Sequence, residues 1–419
     1  MTAAKKRKSL YICYFGLREP LVQTQVIPYL LEIIKDGIEV RLLTFESDLR
    51  TDAEVKTEQA ALQDKGVTWH YLRYHERPSV PATFYDIVNG ARLIRRLHKR
   101  EEFDILHCRV HVPMLMAAIA RKFSSQKPKL LFDIRGFFPE EYTDAGVWPE
   151  NGWLYRIAKR VEKWLLHEAD GFVVLTRKAR EILFPEISGD LSEPAVDQEG
   201  RPVEVIPCCV DLKRFKTADN ASREEVRRKL STSDRFVIAY VGSFGGWYLS
   251  DELFDLFDAA REVDSSVFVL ILTQRQADAA AQRLITKGFS KNDFLVQSVS
   301  PTEIAHYLNA ADCGVSFIKR CFSKLASSPT KNAEYLAAGL PIIANSGIGD
   351  VDQLIADESI GVLIDRLDRD AFLAAIERLK VFGDISAKCR EVAKNYFDLE
   401  TVGGVRYRRL YKKMLSRDG

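Results

Sequence analysis

Residues 327–341 read Ser-Ser-Pro-Thr-Lys-Asn-Ala-Glu-Tyr-Leu-Ala-Ala-Gly-Leu-Pro. In no other stretch do residue types and spacing point so directly to chemistry. Ser328 fits a helix N-cap, Pro329 the first helical position, and Gly339 the residue just past the helix end. A helix that starts there leaves the backbone N–H groups of Thr330 and Lys331 unpaired and facing outward, which makes an anion site. Lys331 in the first turn opposes the helix dipole by itself, and a bound phosphate reverses that sign. Glu334 falls about one turn later, roughly 5–6 Å from Lys331 between Cβ atoms. A carboxylate there is placed to accept hydrogen bonds from ribose hydroxyls. By periodicity alone, a surface helix with an incidental Lys-Glu pair fits equally well.

The elements that must position this stretch follow an α/β alternation. Ser9–Phe15, Val40–Phe45, Thr68–Leu72, Asp104–Cys108, Leu130–Ile134, Gly171–Leu175 and Val203–Ile206 are short apolar runs with helical segments between most of them. Strand and helix alternating at this spacing predict a parallel sheet with crossover helices. A helix is expected from about Ile27 to Asp36, closed by Gly37. Pro185–Arg201, with Gly189, Pro194 and Gly200, reads as an exposed loop, and Lys216–Asp234 as charged and mostly helical. The pattern then restarts with Phe236–Val241, which ends at Gly242. It continues through Val267–Leu272, Asp293–Gln297, Cys313–Phe317, Pro341–Ala344 and Gly361–Ile364. Both halves open with strand, glycine, loop and helix. The expected architecture is therefore two doubly wound, Rossmann-like domains. The expected divisions are 1–212, 213–398, and a C-terminal helix 399–419 that crosses back to the N-terminal domain.

Composition limits the function classes. The 61 basic and 59 acidic side chains leave a net charge of +2, so the chain as a whole has no field for wrapping nucleic acid. Basic residues do gather locally: at Lys5–Lys8; at Arg92, Arg95, Arg96, Lys99 and Arg100; and at Arg406, Arg408, Arg409, Lys412 and Lys413. They read either as solvated helix faces or as a peripheral contact with anionic lipid headgroups at the inner membrane surface. Seven cysteines without metal-ligand spacing read as reduced, buried thiols, with the adjacent Cys208-Cys209 pair structural. That usage, with no signal-peptide pattern and no membrane-length apolar run, leads to the expectation of a cytoplasmic protein. The histidines show no metal spacing. No Gly-Lys-Ser phosphate loop or nucleophile elbow occurs, and neither Gly16 nor Gly242 opens a full Gly-x-Gly-x-x-Gly pattern, which weakens a dehydrogenase reading.

Ser328-Pro-Thr-Lys-x-x-Glu-Tyr-Leu-Ala-x-Gly-Leu-Pro-Ile-Ile-Ala-Asn345 resembles the nucleotide-binding segment of the family-4 glycosyltransferases of the GT-B superfamily. Val205-Ile-Pro-Cys-Cys-Val-Asp211 with Phe215 is similar to their interdomain segment, with Cys209 where glycine is usual. Ala169–Thr176 resembles the strand closing the acceptor domain, and Ala310–Phe317 the strand before the donor helix. The order and spacing of these pieces carry the resemblance. It implies two facing Rossmann-like domains with a cleft between them and transfer of a sugar from a nucleotide donor to a glycan or lipid-linked acceptor in cell-surface polysaccharide synthesis. It implies no bound metal and no cofactor beyond the nucleotide-sugar co-substrate. A UDP-sugar is favoured, with CMP- and GDP-sugars open, and retention at the transferred carbon is favoured.

By that resemblance Glu334 binds the donor ribose, Ser328, Thr330 and Lys331 hold phosphate, Gly242 and Ser243 approach the diphosphate, and Ser298 and Val299 lie near the base. Two departures stand out. Ala326 occupies the place of a usual glutamate that touches the donor sugar. Trp247 and Tyr248 stand where an Arg and a Lys usually face the diphosphate. Lys331 could supply the missing charge, with Lys319, Arg320, Lys324 and Arg275 as further sources. In the first half, Asp133, Glu140, Glu141 and His111 are candidates for acceptor or base roles, and Arg135 and Arg109 for neutralising phosphate or an acidic sugar. Asp133 and Arg135 are favoured because charges directly after Leu-Leu-Phe are costly unless used or paired. Each of these could also be a turn, cap or surface pair. A nucleotide-sugar epimerase on the same fold and a non-catalytic nucleotide-sugar-binding protein are the competing readings.

Overall fold

The computed structural model describes residues 6–48, 51–187, 195–215 and 220–416. Lys5, Gly189, Pro194 and Lys216, named above, lie outside the described residues. The chain divides into two compact units. One comprises Met1–Ile206 with Gly403–Gly419, and the other Pro207–Val402.

The first unit holds an eight-stranded sheet in the order β3-β2-β1-β4-β5-β6-β8-β7. Its strands are β1 (Lys8–Cys13), β2 (Glu39–Glu46), β3 (Val67–Arg73), β4 (Ile105–Arg109), β5 (Lys129–Ile134), β6 (Gly171–Val174), β7 (Ala195–Val196) and β8 (Pro202–Val205). All neighbours are parallel except β7, which pairs antiparallel with β8 at the edge. The sequence reading has β7 as loop, since two residues show no alternation. Pro20–Gln25, expected as loop, is a short helix with Pro20 at its start. The helix Ile27–Ile34 follows it.

The second unit holds a six-stranded parallel sheet, β11-β10-β9-β12-β13-β14. Its strands are β9 (Val237–Val241), β10 (Phe268–Leu272), β11 (Phe294–Gln297), β12 (Cys313–Ser316), β13 (Ile342–Asn345) and β14 (Gly361–Ile364). This is the doubly wound order in which ligands sit beyond the strand ends where the winding reverses, here between β9 and β12. The strands are apolar on both sides because helices cover both faces. Along β9, Val237, Ala239 and Val241 enter one core, and Ile238 and Tyr240 the other, as the period of two requires.

The C-terminal segment was expected as one helix from Leu399 onward. It is instead a π turn, Leu399–Gly404, followed by the helix Val405–Leu415. That helix belongs to the first unit. It buries Tyr407, Leu410, Tyr411 and Met414. Its three arginines are used inside the unit. Arg406 donates to the Val205 carbonyl at 2.6 Å, Arg408 pairs with Glu32 at 2.5 Å, and Arg409 grips buried Glu204 through two nitrogens. The lipid-headgroup reading of these arginines is therefore corrected. They serve as the helix's own clamps, since a carboxylate as buried as Glu204 demands a cation beside it.

Candidate functional site

The segment at 327–341 forms its helix over Thr330–Ala337, with Pro329 as N-cap residue and no side-chain cap. Ser328 does not cap it, contrary to expectation. Its Oγ accepts the Cys208 N–H at 3.1 Å instead. The other end matches the Schellman pattern. The Gly339 N–H reaches the Leu336 carbonyl at 2.9 Å, the Leu340 N–H reaches that of Tyr335 at 2.9 Å, and Gly339 has a φ of +84°. Tyr335 then fixes the helix to the sheet: its hydroxyl accepts from the Val241 N–H at 2.9 Å and donates to the Val315 carbonyl at 3.1 Å.

This places the first turn of the helix at the reversal point between β9 and β12. Lys331 is 6% exposed, and its Nζ has no hydrogen-bond partner among the described residues. The ammonium lies over two aromatic rings, 4.1 Å from the centroid of Tyr240 and 4.2 Å from that of Tyr248. Gly242, directly after β9, has a φ of +138°, and a Cβ there would stand 3.0 Å from the Lys331 Nζ. The backbone there favours glycine, and the missing side chain leaves the lysine room to approach. Burial pushes the Lys331 amine down to about 7, with Glu334 partly offsetting it. Burial pushes the Glu334 carboxyl up to about 7, opposed by Arg214 and Lys331. A buried cation without a hydrogen-bonding counterpart, beside a helix N-terminus and a close-approach glycine, is suited to receive an anion.

Trp247 and Tyr248 take part as platforms. Lys324 Nζ lies 3.9 Å from the Trp247 ring centroid, just as Lys331 lies over Tyr248. The loop after β9 is tied to the segment after β12 by a Tyr248–Ile318 bridge and by the Lys319 N–H donating to the Trp247 carbonyl at 2.8 Å. Two lysines from the β12 side thus stand where the resemblance leads one to look for bases after β9. Arg275 is exposed, and Arg320 reaches the Ser346 Oγ at 3.5 Å. Ala326 is buried in a short 3-10 turn, Phe322–Ala326. Ser243 is exposed, with its carbonyl accepting from Tyr240 at 2.5 Å. Thr330 is half-buried and Ser298 exposed, while Val299 belongs to the core. Arg214 was missed in the sequence: it donates to the Pro301 carbonyl and acts electrostatically on Glu334.

The candidates of the first unit gather at the carboxyl ends of β4 and β5. Asp133 is fully buried, 3.5 Å from Arg135, 3.8 Å from Arg109 and 3.5 Å from His107, and it accepts from the Tyr407 hydroxyl at 3.1 Å. Burial alone would raise its carboxyl, but Arg135, His107 and Arg109 hold it well below the usual range. A fully buried carboxylate committed to these partners cannot touch an acceptor. Asp133 thus ties the C-terminal helix to β5, with Arg135 and Arg109 beside it. His111 is buried beneath Phe138 and bonded to Glu162 at 3.0 Å, with Lys159 on the same carboxylate. Glu141 is half-buried, and its carboxylate packs against Gly136 so closely that a Cβ there would stand 2.9 Å from it. Glu140 pairs with Lys159 at 3.0 Å.

One further feature was not readable in advance. Val110, between β4 and the helix His111–Lys122, has φ +66° and ψ −179°. This region is nearly restricted to glycine, and a β-branched residue there stores about 1–3 kcal/mol. The strain turns the chain sharply, so that His111 opens the following helix at the carboxyl edge of the sheet.

Residues 29–187 match the model of the glycosyl transferase 4-like domain, and residues 222–396 that of glycosyl transferases group 1. No curated protein matches the sequence. Among solved structures, a glycosyltransferase from Rickettsia africae aligns at TM-score 0.70 with 16% identity, covering 98% of this chain and 99% of the other. Sucrose-phosphate synthase from Thermosynechococcus elongatus aligns at 0.69 with 15% identity, covering 98% and 100%. Anabaena HepE, solved in complex with UDP and glucose, aligns at 0.66 with 15% identity, covering 98% and 100%. The two family models in tandem, over two doubly wound sheets of matching order, show that the chain belongs to the family-4-type glycosyltransferases of the GT-B superfamily.

Proposed function

We propose that this glycosyltransferase takes its sugar from a nucleotide donor, a UDP-sugar in preference to GDP- or CMP-sugars, whose phosphates meet the amino end of the helix Thr330–Ala337. The observation that carries the reading is the Lys331 ammonium, buried without a hydrogen-bond partner between Tyr240, Tyr248 and Gly242. Glu334, one turn on, receives the ribose hydroxyls, and Ser298 and Val299 flank the base. The preference for uridine is supported by HepE, solved with UDP-glucose. Retention at the transferred carbon is supported by the family resemblance. The acceptor is a glycan or lipid-linked sugar of cell-surface polysaccharide synthesis, presented at the inner face of a membrane. His111 and Glu141, in the helices that follow β4 and β5, are the proposed acceptor-side residues.

A thermal-shift series across UDP-, GDP-, ADP- and CMP-sugars tests the donor, followed by turnover with and without added acceptor. Stabilisation by a uridine donor, with product formed only when acceptor is present, is expected. Stabilisation by none of the four would remove the donor assignment. A second reading, a protein that binds nucleotide sugars without transferring them, is favoured by the buried methyl of Ala326 in place of a carboxylate. It predicts donor binding with neither transfer nor slow hydrolysis.

A further inference from the structure

The first unit carries a layer of three helices whose outer surface the donor site does not use. The crossovers β3 to β4, β4 to β5 and β5 to β6 all run in the same direction along the sheet. Right-handed connections therefore lay their helices on one face. These are Ser79–Glu101, His111–Lys122 and Trp153–Glu168, and the middle one packs against both others. The two outer helices both start at the carboxyl edge of the sheet and run away from it.

Each outer helix shows the same gradient. On Ser79–Glu101 the early turns expose Val80 and Phe84, at 61% and 67%, and the later turns expose Arg92, Arg96, Lys99 and Arg100. On Trp153–Glu168 the first turns expose Trp153 and Ile157, at 70% and 47%, and Arg156, Arg160 and Lys163 follow. At about 100° per residue these last five fall within an arc of about 120°. That arc holds no carboxylate. The acids of this helix turn elsewhere, Glu162 to His111 and Lys159, and Glu168 to Arg121. None of Arg156, Arg160 and Lys163 has an ion-pair partner among the described residues. This contrasts with the clamped arginines of the C-terminal helix.

We propose that this three-helix face docks on an anionic lipid surface, with Phe84, Trp153 and Ile157 at the headgroup boundary and the cations of both helices on the lipid phosphates. Exposed aromatics beside unpaired cations, on helices that lie flat along one layer, fit an interfacial surface. The proposal names the face for the membrane-side acceptor proposed above, and it is tested without any nucleotide sugar, so that its failure leaves the donor reading standing.

The test is co-sedimentation of the full chain with vesicles of phosphatidylcholine alone, or with about one-third phosphatidylglycerol. Binding is expected only to the anionic vesicles and should weaken as salt rises. Each cation removed should cost about fivefold, so Arg156→Gln, Arg160→Gln and Lys163→Gln together should cost on the order of a hundredfold. UDP affinity and melting temperature should stay unchanged, since all three side chains are exposed. Brominated lipid should quench tryptophan emission in the parent protein and much less in Trp153→Phe. Equal binding to both vesicle types, no binding to either, undiminished binding by the triple variant, or unchanged quenching in Trp153→Phe would each overturn it. Binding to the anionic vesicles alone at low salt, its loss at high salt, its weakening in the triple variant and reduced quenching in Trp153→Phe would together support it.

Discussion

Replacing Lys331 by alanine separates a phosphate-binding lysine from one that only fills space. A hydrogen bond to a charged group is worth about 1.5–3 kcal/mol. Removing the ammonium should therefore weaken UDP by about 10- to 150-fold. Uridine, which has no phosphate, should lose little. Stability should respond weakly, because two effects oppose each other. The cation-aromatic contacts with Tyr240 and Tyr248 are lost, about 0.5–2 kcal/mol. The desolvation that pushes the amine down to about 7 is relieved at the same time. Calorimetric titration of both ligands into both proteins, with melting curves of the ligand-free forms, measures each quantity. Equal losses for UDP and uridine would refute the phosphate role. A collapse of the melting temperature with intact UDP affinity would show the lysine to be structural.

The same two groups set a pH dependence. On the proposed donor reading Lys331 must be protonated to hold phosphate, so binding should take up a proton once the pH exceeds about 7, and affinity should fall by up to tenfold per pH unit above that. On the same reading Glu334 receives ribose hydroxyls as a carboxylate, so affinity should also fall below about 7; titrations across this range should give a maximum near neutrality, with Glu334→Gln losing the acid limb only. In the first unit, Tyr407→Phe leaves buried Asp133 without its hydroxyl donor, which should cost about 1–3 kcal/mol. That loss should appear as a lower urea midpoint at unchanged m-value.

The strands were legible because each is a short apolar run between turn residues, and both sheets contain every one expected, within a residue or two at the ends. The failures have local causes. The two residues of β7 have no periodicity to read, and Pro20–Gln25 carries no side-chain cap to announce it. The adjacent Gly403 and Gly404 end the π turn that interrupts the C-terminal helix, where an apolar pattern suggested continuity. The helix that carries Lys331 and Glu334, and its end at Gly339, were readable because one-turn spacing and a C-terminal glycine are local rules. Arg214 was not, because its effect on Glu334 joins positions far apart in sequence. Asp133 was noticed as a charge in an apolar run, but its partners were not readable. Arg109, Arg135, His107 and Tyr407 surround the buried carboxylate. Val110 could not have been read, since its residue type argues against the backbone it adopts.

Trp247 and Tyr248 looked like a defect in the sequence, bulky rings where bases were expected. In the structure they are what fixes the bases that come from elsewhere. An aromatic face attracts an ammonium without neutralising it, so Lys331 is oriented over Tyr240 and Tyr248 while its Nζ has no hydrogen-bond partner among the described residues. A carboxylate in place of the rings would hold the lysine as firmly but consume the charge that the proposed diphosphate needs. The backbone ties between the loop after β9 and the segment after β12 keep ring and cation in register. Gly242 keeps the approach to Lys331 open. On the proposed donor reading, the positive end of the site is therefore assembled across the reversal point of the sheet, with rings on one side and Lys331 on the other, rather than written into a single loop.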